Sequence, residues 1–359
     1  MLNKGRQLIT SRIKMDYDYE KDIARKERLV QPKQEFIDGH TTTFATQPFY
    51  HVATALSTTT PIEYNITIIT QTTIDRLNKV ALMVDRWQAP VSVAIYVKDA
   101  EREIPLLHDM LSSFPSLLQF ADIHLMHANN TRYPVNNLRN LAIINARTDF
   151  ILIMDADFVI PSGTHDYLIP YVQVAQTMKD KLAFVFPSFS SSLDPSLLPN
   201  TKAELLDLIK QGHVNPSNLN VCPKCHGPTD YEQWYSADMA YKAQYKWNYE
   251  PYLLFDRTQT ELFDEVFKGY GFDKNSHVFT MAVMGFKFFV QPESFIIHIN
   301  HEQANWESTA DLDVQLWDAL GAVCDLIPEV KLRYNLDSHA RAFDEPLQAE
   351  CVSYDWFSA

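Results

Sequence analysis

Two acids stand one residue apart in the stretch Phe150-Ile-Leu-Ile-Met-Asp155-Ala-Asp157, directly after a run without a polar side chain. A buried carboxylate is costly unless it is paired, so a pair ending an apolar run calls for cations. In extended backbone, residues i and i+2 face the same way. Asp155 and Asp157 can therefore point at one divalent ion. Carboxylate oxygens suit Mg2+ or Mn2+, and a site with few protein ligands leaves positions for phosphate oxygens. The competing reading is two solvated acids in a strand-to-loop turn, the commoner fate of an Asp-x-Asp. The buried strand before them favours the metal.

Three further segments carry chemistry. His298 and His301 end the apolar stretch Phe295-Ile-Ile-His-Ile-Asn-His301. One imidazole joined to two carboxylates shifts the preference from Mg2+ to Mn2+; alone, the pair reads as hydrogen-bonded histidines at a strand end. In Gly269-Tyr-Gly-Phe-Asp-Lys274 two of the chain's 9 glycines lie within three residues. Asp273, just after them, can be held against a substrate hydroxyl as a general base, or the segment is a surface turn. Arg139, in Asn136-Asn-Leu-Arg-Asn140, can reach a phosphate or ribose or be an ordinary solvated helical arginine.

These residues need a frame. Residues 62–70 and 91–97 are rich in β-branched residues and predict strands. Between them Ile74, Leu77, Val80, Ala81 and Val84 recur at helical spacing over 72–87. A helix over 101–113, a strand over 121–126 and a helix from Pro134 to about 146 follow. Residues 150–154 form a fully apolar strand, 165–178 a helix and 182–186 another strand. This alternation implies an open, mostly parallel α/β sheet, whose ligands bind outside the carboxyl ends of the strands. Asp155 and Asp157 fall at such an end. Past 190 the alternation fades. Residues 195–260 read as loops with short elements on the same sheet, and 310–335 as a helix. The division expected is an arm or stalk over 1–45, one catalytic domain over 46–335 and a tail over 336–359.

Composition narrows the function. The 359 residues are 46% hydrophobic and 12% aromatic, as a packed globule requires, and the formal net charge is −14. That balance argues against non-specific nucleic-acid binding. No apolar run reaches the length of a membrane span, and the first residues lack the apolar core of a signal peptide. Asn65 and Asn129 stand in glycosylation acceptor triplets, a weak signal because such triplets arise often by chance. Cys222 and Cys225 have zinc-like spacing, but no second pair follows. A disulfide or free thiols is the expectation for them and for Cys324 and Cys351.

The block Pro134-x-Asn-x-Leu-Arg-Asn-x-Ala142, followed by the strand ending Asp155-Ala-Asp157-Phe158, resembles the LARGE-type glycosyltransferase domain, glycosyltransferase family 49. Trp87-x-x-Pro90-Val-Ser-Val-Ala-Ile-Tyr96, His226-Gly-Pro-Thr-Asp-Tyr231 with Trp234, Glu250-Pro-Tyr252, Phe263-Asp264 and His298-x-x-His301 follow in the family's order. The resemblance covers roughly residues 62–305. It implies a GT-A fold with a mixed, mostly parallel sheet, a UDP-sugar donor, Mn2+ with Mg2+ as the alternative, and inversion at the anomeric carbon. Characterised members transfer glucuronate to glycans such as that on dystroglycan. By the resemblance Asp155, Asp157 and His298 hold the metal, while Arg139, Asp155, Thr70 and Arg76 contact the donor. Tyr231, Trp234 and Tyr252 either stack on acceptor sugars or pack in the core. Members are usually Golgi type II membrane proteins, although no anchor is visible in this sequence. Well-known members also carry a Glu-x-Asp-like acidic pair where Thr280 and Ala282 stand here. If one of those acids is the base, this chain lacks it and Asp273 is the nearest substitute. The alternatives are a glycan-binding relative that lost its base and a metal-dependent phosphohydrolase.

Overall fold

A computed structural model describes residues 44–55, 65–128, 132–220, 222–269, 271–299 and 309–334. Most of the expected arm, the expected tail, residues 62–64, Asn129 and His301 lie outside these. The N-terminal half holds β1 (Thr46–His51), β2 (Ile66–Thr73), α1 (Leu77–Trp87), β3 (Val91–Val97), α2 (Ala100–Ser113), α3 (Pro115–Phe120), β4 (Ala121–His127), α4 (Val135–Ile144), β5 (Phe150–Ile153) and β6 (Phe158–Val159). There follow α5 (Thr164–Thr177), β7 (Leu182–Phe186), β8 (Ser188–Ser191), α6 (Lys202–Lys210) and β9 (Val214–Pro216). The remainder is α7 (Pro223–His226), α8 (Tyr231–Ser236), β10 (Tyr241–Ala243), β11 (Tyr252–Asp256), α9 (Asp273–Val283), β12 (Lys287–Val290), β13 (Ile296–Ile299) and α10 (Thr309–Arg333).

The strands form because their residues fit a sheet covered on both faces. Every residue of β3 and β5 is buried. One face of the sheet buries Ile68, Val93, Ile123 and Leu152 with Leu77, Val80 and Val84 of α1. The other buries Ile69, Ala94, Ile151 and Ile153 with Leu138, Trp234 and Phe295. The α1 helix stops where Gln88 turns left-handed (φ 53) and Trp87 donates its indole N–H to the Pro90 carbonyl at 3.1 Å. A third cluster joins Phe267 and Phe279 to Leu320, Val323 and Ile327 of α10.

The α/β class matches the sequence expectation. The main sheet has nine strands in the order β1-β4-β3-β2-β5-β11-β7-β12-β10. Its parallel pairings are β4–β3, β3–β2, β2–β5 and β7–β12. Its antiparallel pairings are β1–β4, β5–β11, β11–β7 and β12–β10. Three of the four parallel pairings thus join strands of the regularly alternating half, and β11 enters against them. A second sheet has four strands in the order β6-β13-β8-β9. Two registers matter for the site. Leu254 opposite Leu152 sets Tyr252, two residues earlier in β11, beyond the carboxyl end of β5. His298 opposite Phe158 sets that histidine beside the acidic turn.

Candidate active site

The sheet ends β5 at Ile153, and Asp155 and Asp157 occupy the turn to β6. Different cationic side chains approach the two acids. Asp155 Oδ1 accepts from Arg139 Nη2 at 3.2 Å, while its Oδ2 accepts from Tyr252 Oη at 2.8 Å and Lys274 Nζ at 2.7 Å. Asp157 Oδ2 lies 3.4 Å from Arg76 Nη1 and 3.6 Å from His298 Nε2. Of the three expected metal ligands, the structure therefore brings Asp157 and His298 together and turns Asp155 towards protein cations.

The charges around Asp155 explain one another. Burial favours its neutral form, but Lys274 and Arg139 outweigh burial and hold the carboxyl at about 2. Burial works against the charge on Arg139, and Asp273 and Asp155 overcome it. The same contest leaves Lys274 well above an ordinary lysine, with Asp155, Tyr252 and Glu250 opposing burial. Burial, then Asp155, push the Tyr252 phenol up. Burial also pushes the Glu250 carboxyl up, in spite of Lys274 at 3.1 Å. Two neutral imidazoles flank this network. Burial and Lys274 hold His226 at about 3, and burial and Arg139 do the same to His277.

Arg139 is buried on α4, and its Nη1 donates to Asn136 Oδ1 at 2.9 Å and to Asp273 Oδ2 at 2.6 Å. Asp273 is the first residue of α9, reached through left-handed backbone at Gly269 (φ 75), Gly271 (φ 114) and Phe272 (φ 55). The glycine turn thus has the backbone that glycine permits. The acid after it, expected as the base, is engaged by Arg139, and that contact positions the guanidinium. Thr70, expected at the donor, is 1% exposed in β2, and its hydroxyl has no hydrogen-bond partner among the described residues. Tyr231 and Trp234 belong to the core. Their polar atoms are spent on the carbonyls of Ser188 (2.9 Å) and Gln291 (2.8 Å). Sequence reasoning missed Lys274, Glu250 and Tyr133, whose hydroxyl donates to Gln71. The only local sign of Lys274 was its place next to Asp273.

The Thr280 and Ala282 departure lies away from this network. Residues 274 and 280 point about 120° apart around a helix. Lys274 faces Asp155, whereas Thr280 donates to the Ser276 carbonyl at 3.1 Å and lines a cavity of about 360 Å3 with Asp264, Glu329 and Arg333. Ala282 packs on the core. Cys222 and Cys225 form a disulfide, not a zinc half-site, and Cys324 is disulfide-bonded as well.

The fit to a metal rests on the donor set. Asp157 Oδ2 and His298 Nε2, 3.6 Å apart, are near the span of two ligands on one ion. Among the described residues no group of three or more His, Cys, Asp or Glu side chains is arranged to hold a metal. The pair therefore fits an ion that takes most of its oxygen ligands from elsewhere, the usual arrangement when one or two carboxylates serve.

The chain is 49% identical over 296 residues to the glycosyltransferase-like protein gnt14 of Dictyostelium discoideum, covering 82% of this chain and 46% of gnt14. It is 30% identical to gnt13 of the same organism, covering 90% of this chain and 88% of that one. The human xylosyl- and glucuronyltransferase LARGE2 is 32% identical over 244 residues, which are 67% of this chain and 33% of LARGE2. The chain thus spans less than half the length of gnt14 and of LARGE2. Among solved structures, S. aureus TarS with UDP-GlcNAc aligns over 80% of this chain and 73% of that one with a TM-score of 0.45 and 10% identity, too distant to add to the argument. A family model matches residues 65–131 and 121–334, and by that match the chain belongs to the family described as glycosyl-transferase for dystroglycan.

Proposed function

We propose that this site transfers a sugar, glucuronate or a related one such as xylose, from a UDP-sugar to a glycan hydroxyl with inversion. The observation that carries the reading is the arrangement at the carboxyl end of β5. There Asp157 and His298 approach each other beside Arg76, while Arg139 and Lys274 fix Asp155. Asp157 and His298 would hold Mn2+, with Mg2+ as the alternative, together with the donor's diphosphate. Bound there, the ion supplies charge neutralisation to the leaving UDP. Arg76 adds positive charge on the same side. A carboxylate has about four acceptor positions, and the three donors on Asp155 leave one for a ribose hydroxyl. Lys274 and Arg139 keep that carboxylate ionised and fixed. The acceptor oxygen attacks the anomeric carbon as the bond to the diphosphate oxygen breaks.

A Golgi-type secretory lumen is proposed as the compartment. The disulfides at Cys222–Cys225 and Cys324 support it, because such bonds persist in oxidising compartments. No helix among the described residues is long and apolar enough to cross a membrane.

The test is UDP release from a panel of UDP-sugars with Mn2+. Release with one donor, lost on chelation, is expected. UDP and Mn2+ binding with no turnover on any donor or acceptor would favour a glycan-binding relative, and no UDP binding at all would overturn the reading.

A further inference from the structure

We propose that Glu250 is the base that takes the proton of the acceptor hydroxyl, an inference that rests on the transferase reading above. Three carboxylates lie on the Asp155 side of the acidic turn, and their surroundings separate them. Asp155 already carries three donors. Asp273 is 14% exposed and its Oδ2 lies 2.6 Å from the buried Arg139 guanidinium, which cannot give up its proton. Glu250 is the most open of the three, with 26% of its side chain exposed against 22% for Asp155. Its Oε1 meets Lys274 Nζ at 3.1 Å, and no hydrogen bond engages its Oε2 among the described residues.

Glu250 is also held in place from both sides. Its backbone N–H donates to the Cys225 carbonyl at 2.8 Å, inside the turn closed by the Cys222–Cys225 disulfide. Pro251 restricts the chain after it, and Tyr252 is tied to Asp155. A catalytic carboxylate needs such a rigid mount. Lys274 touches Asp155 at 2.7 Å and Glu250 at 3.1 Å, so the two acids flank one ammonium. Burial raises the proton affinity of the Glu250 carboxyl, which suits a base. The step is balanced. The acceptor oxygen bonds to the anomeric carbon, the electron pair of the broken bond leaves on UDP, and the hydroxyl proton passes to Glu250 Oε2.

The test compares wild type, Glu250→Gln, Glu250→Asp and Asp273→Asn with UDP-glucuronate and UDP-xylose, Mn2+ and p-nitrophenyl β-xyloside, alongside calorimetric UDP binding. Glu250→Gln should lower kcat by about 10²–10⁴, with donor KM and UDP affinity within about threefold of wild type. Glu250→Asp should recover part of the loss. Asp273→Asn should act mainly on UDP affinity, through the released Arg139. The proposal is overturned if Glu250→Gln keeps kcat within about threefold, or loses UDP affinity together with kcat. It is also overturned if Asp273→Asn alone abolishes turnover with UDP binding intact. Wild type that releases no UDP from either donor overturns the transferase reading itself and the base with it. An active wild type beside an active Glu250→Gln overturns only the base.

Discussion

On one side of the acidic turn, Arg139 from α4, Tyr252 from β11 and Lys274 from α9 close on Asp155 at 3.2, 2.8 and 2.7 Å. On the other side Asp157 meets Arg76 at 3.4 Å and His298 at 3.6 Å, across longer gaps. The first side is a charge network assembled by the fold, in which each member compensates the desolvation of another. The second is a carboxylate and an imidazole at a separation that an ion can bridge. Two acids one residue apart thus have different tasks. Spacing brings them to the same end of the sheet, and tertiary partners decide what each one does.

The comparison can be broken most forcefully at Asp157. Asp157→Asn should lower Mn2+-dependent UDP release by at least about 10²-fold, the loss typical for a group that stabilises a leaving charge, and His298→Ala should do likewise. Thermal melting without ligands should change little in both. A variant that melts early but turns over normally would make Asp157 structural and reverse the contrast.

The next effect is one of stability, on the other side. Lys274→Met strips the ammonium from Asp155 and Glu250 and should cost about 3–5 kcal/mol in urea unfolding, as removing one partner of a buried pair does. Arg76→Met, at a longer and more open pair, should cost less than about 1 kcal/mol. Equal losses would erase the distinction between network and ion site. Tyr252→Phe removes one donor from Asp155 and should cost about 1–2 kcal/mol by the same measurement. The smallest effect belongs to Thr280→Ala. It should leave UDP release within about threefold, because Thr280 faces the cavity beside α10 and not the acidic turn.

The regular half of the fold was legible because each element carries its own signal. Ile66–Thr73, Val91–Val97 and Phe150–Ile153 are apolar or β-branched runs, and Leu77, Val80, Ala81 and Val84 mark one helix face. The rule that ligands gather at the carboxyl ends of strands then located Asp155 and Asp157. The opposite wall was illegible for a physical reason. Tyr252 and Glu250 reach the turn through the antiparallel entry of β11 beside β5, and Lys274 reaches it from α9, placements set between segments far apart in the chain. No local period encodes them. Asp273 shows the same limit at a single residue. The glycine turn before it was readable, but Arg139, which decides the fate of its carboxylate, comes from a distant helix. Stacking on sugars and packing in the core stayed open for Tyr231 and Trp234 because burial is not written in an aromatic residue's identity; both pack in the core.

The role proposed for Asp157 and His298 is to hold the ion only together with the donor's phosphates. Titrating Mn2+ into the protein with and without UDP, following the electron paramagnetic resonance signal of the free ion, tests that role. Weak binding alone, at least about tenfold tighter binding with UDP, and loss of that gain in Asp157→Asn and His298→Ala are expected. Equal Mn2+ affinity with and without UDP, or an undiminished gain in both variants, would contradict that role.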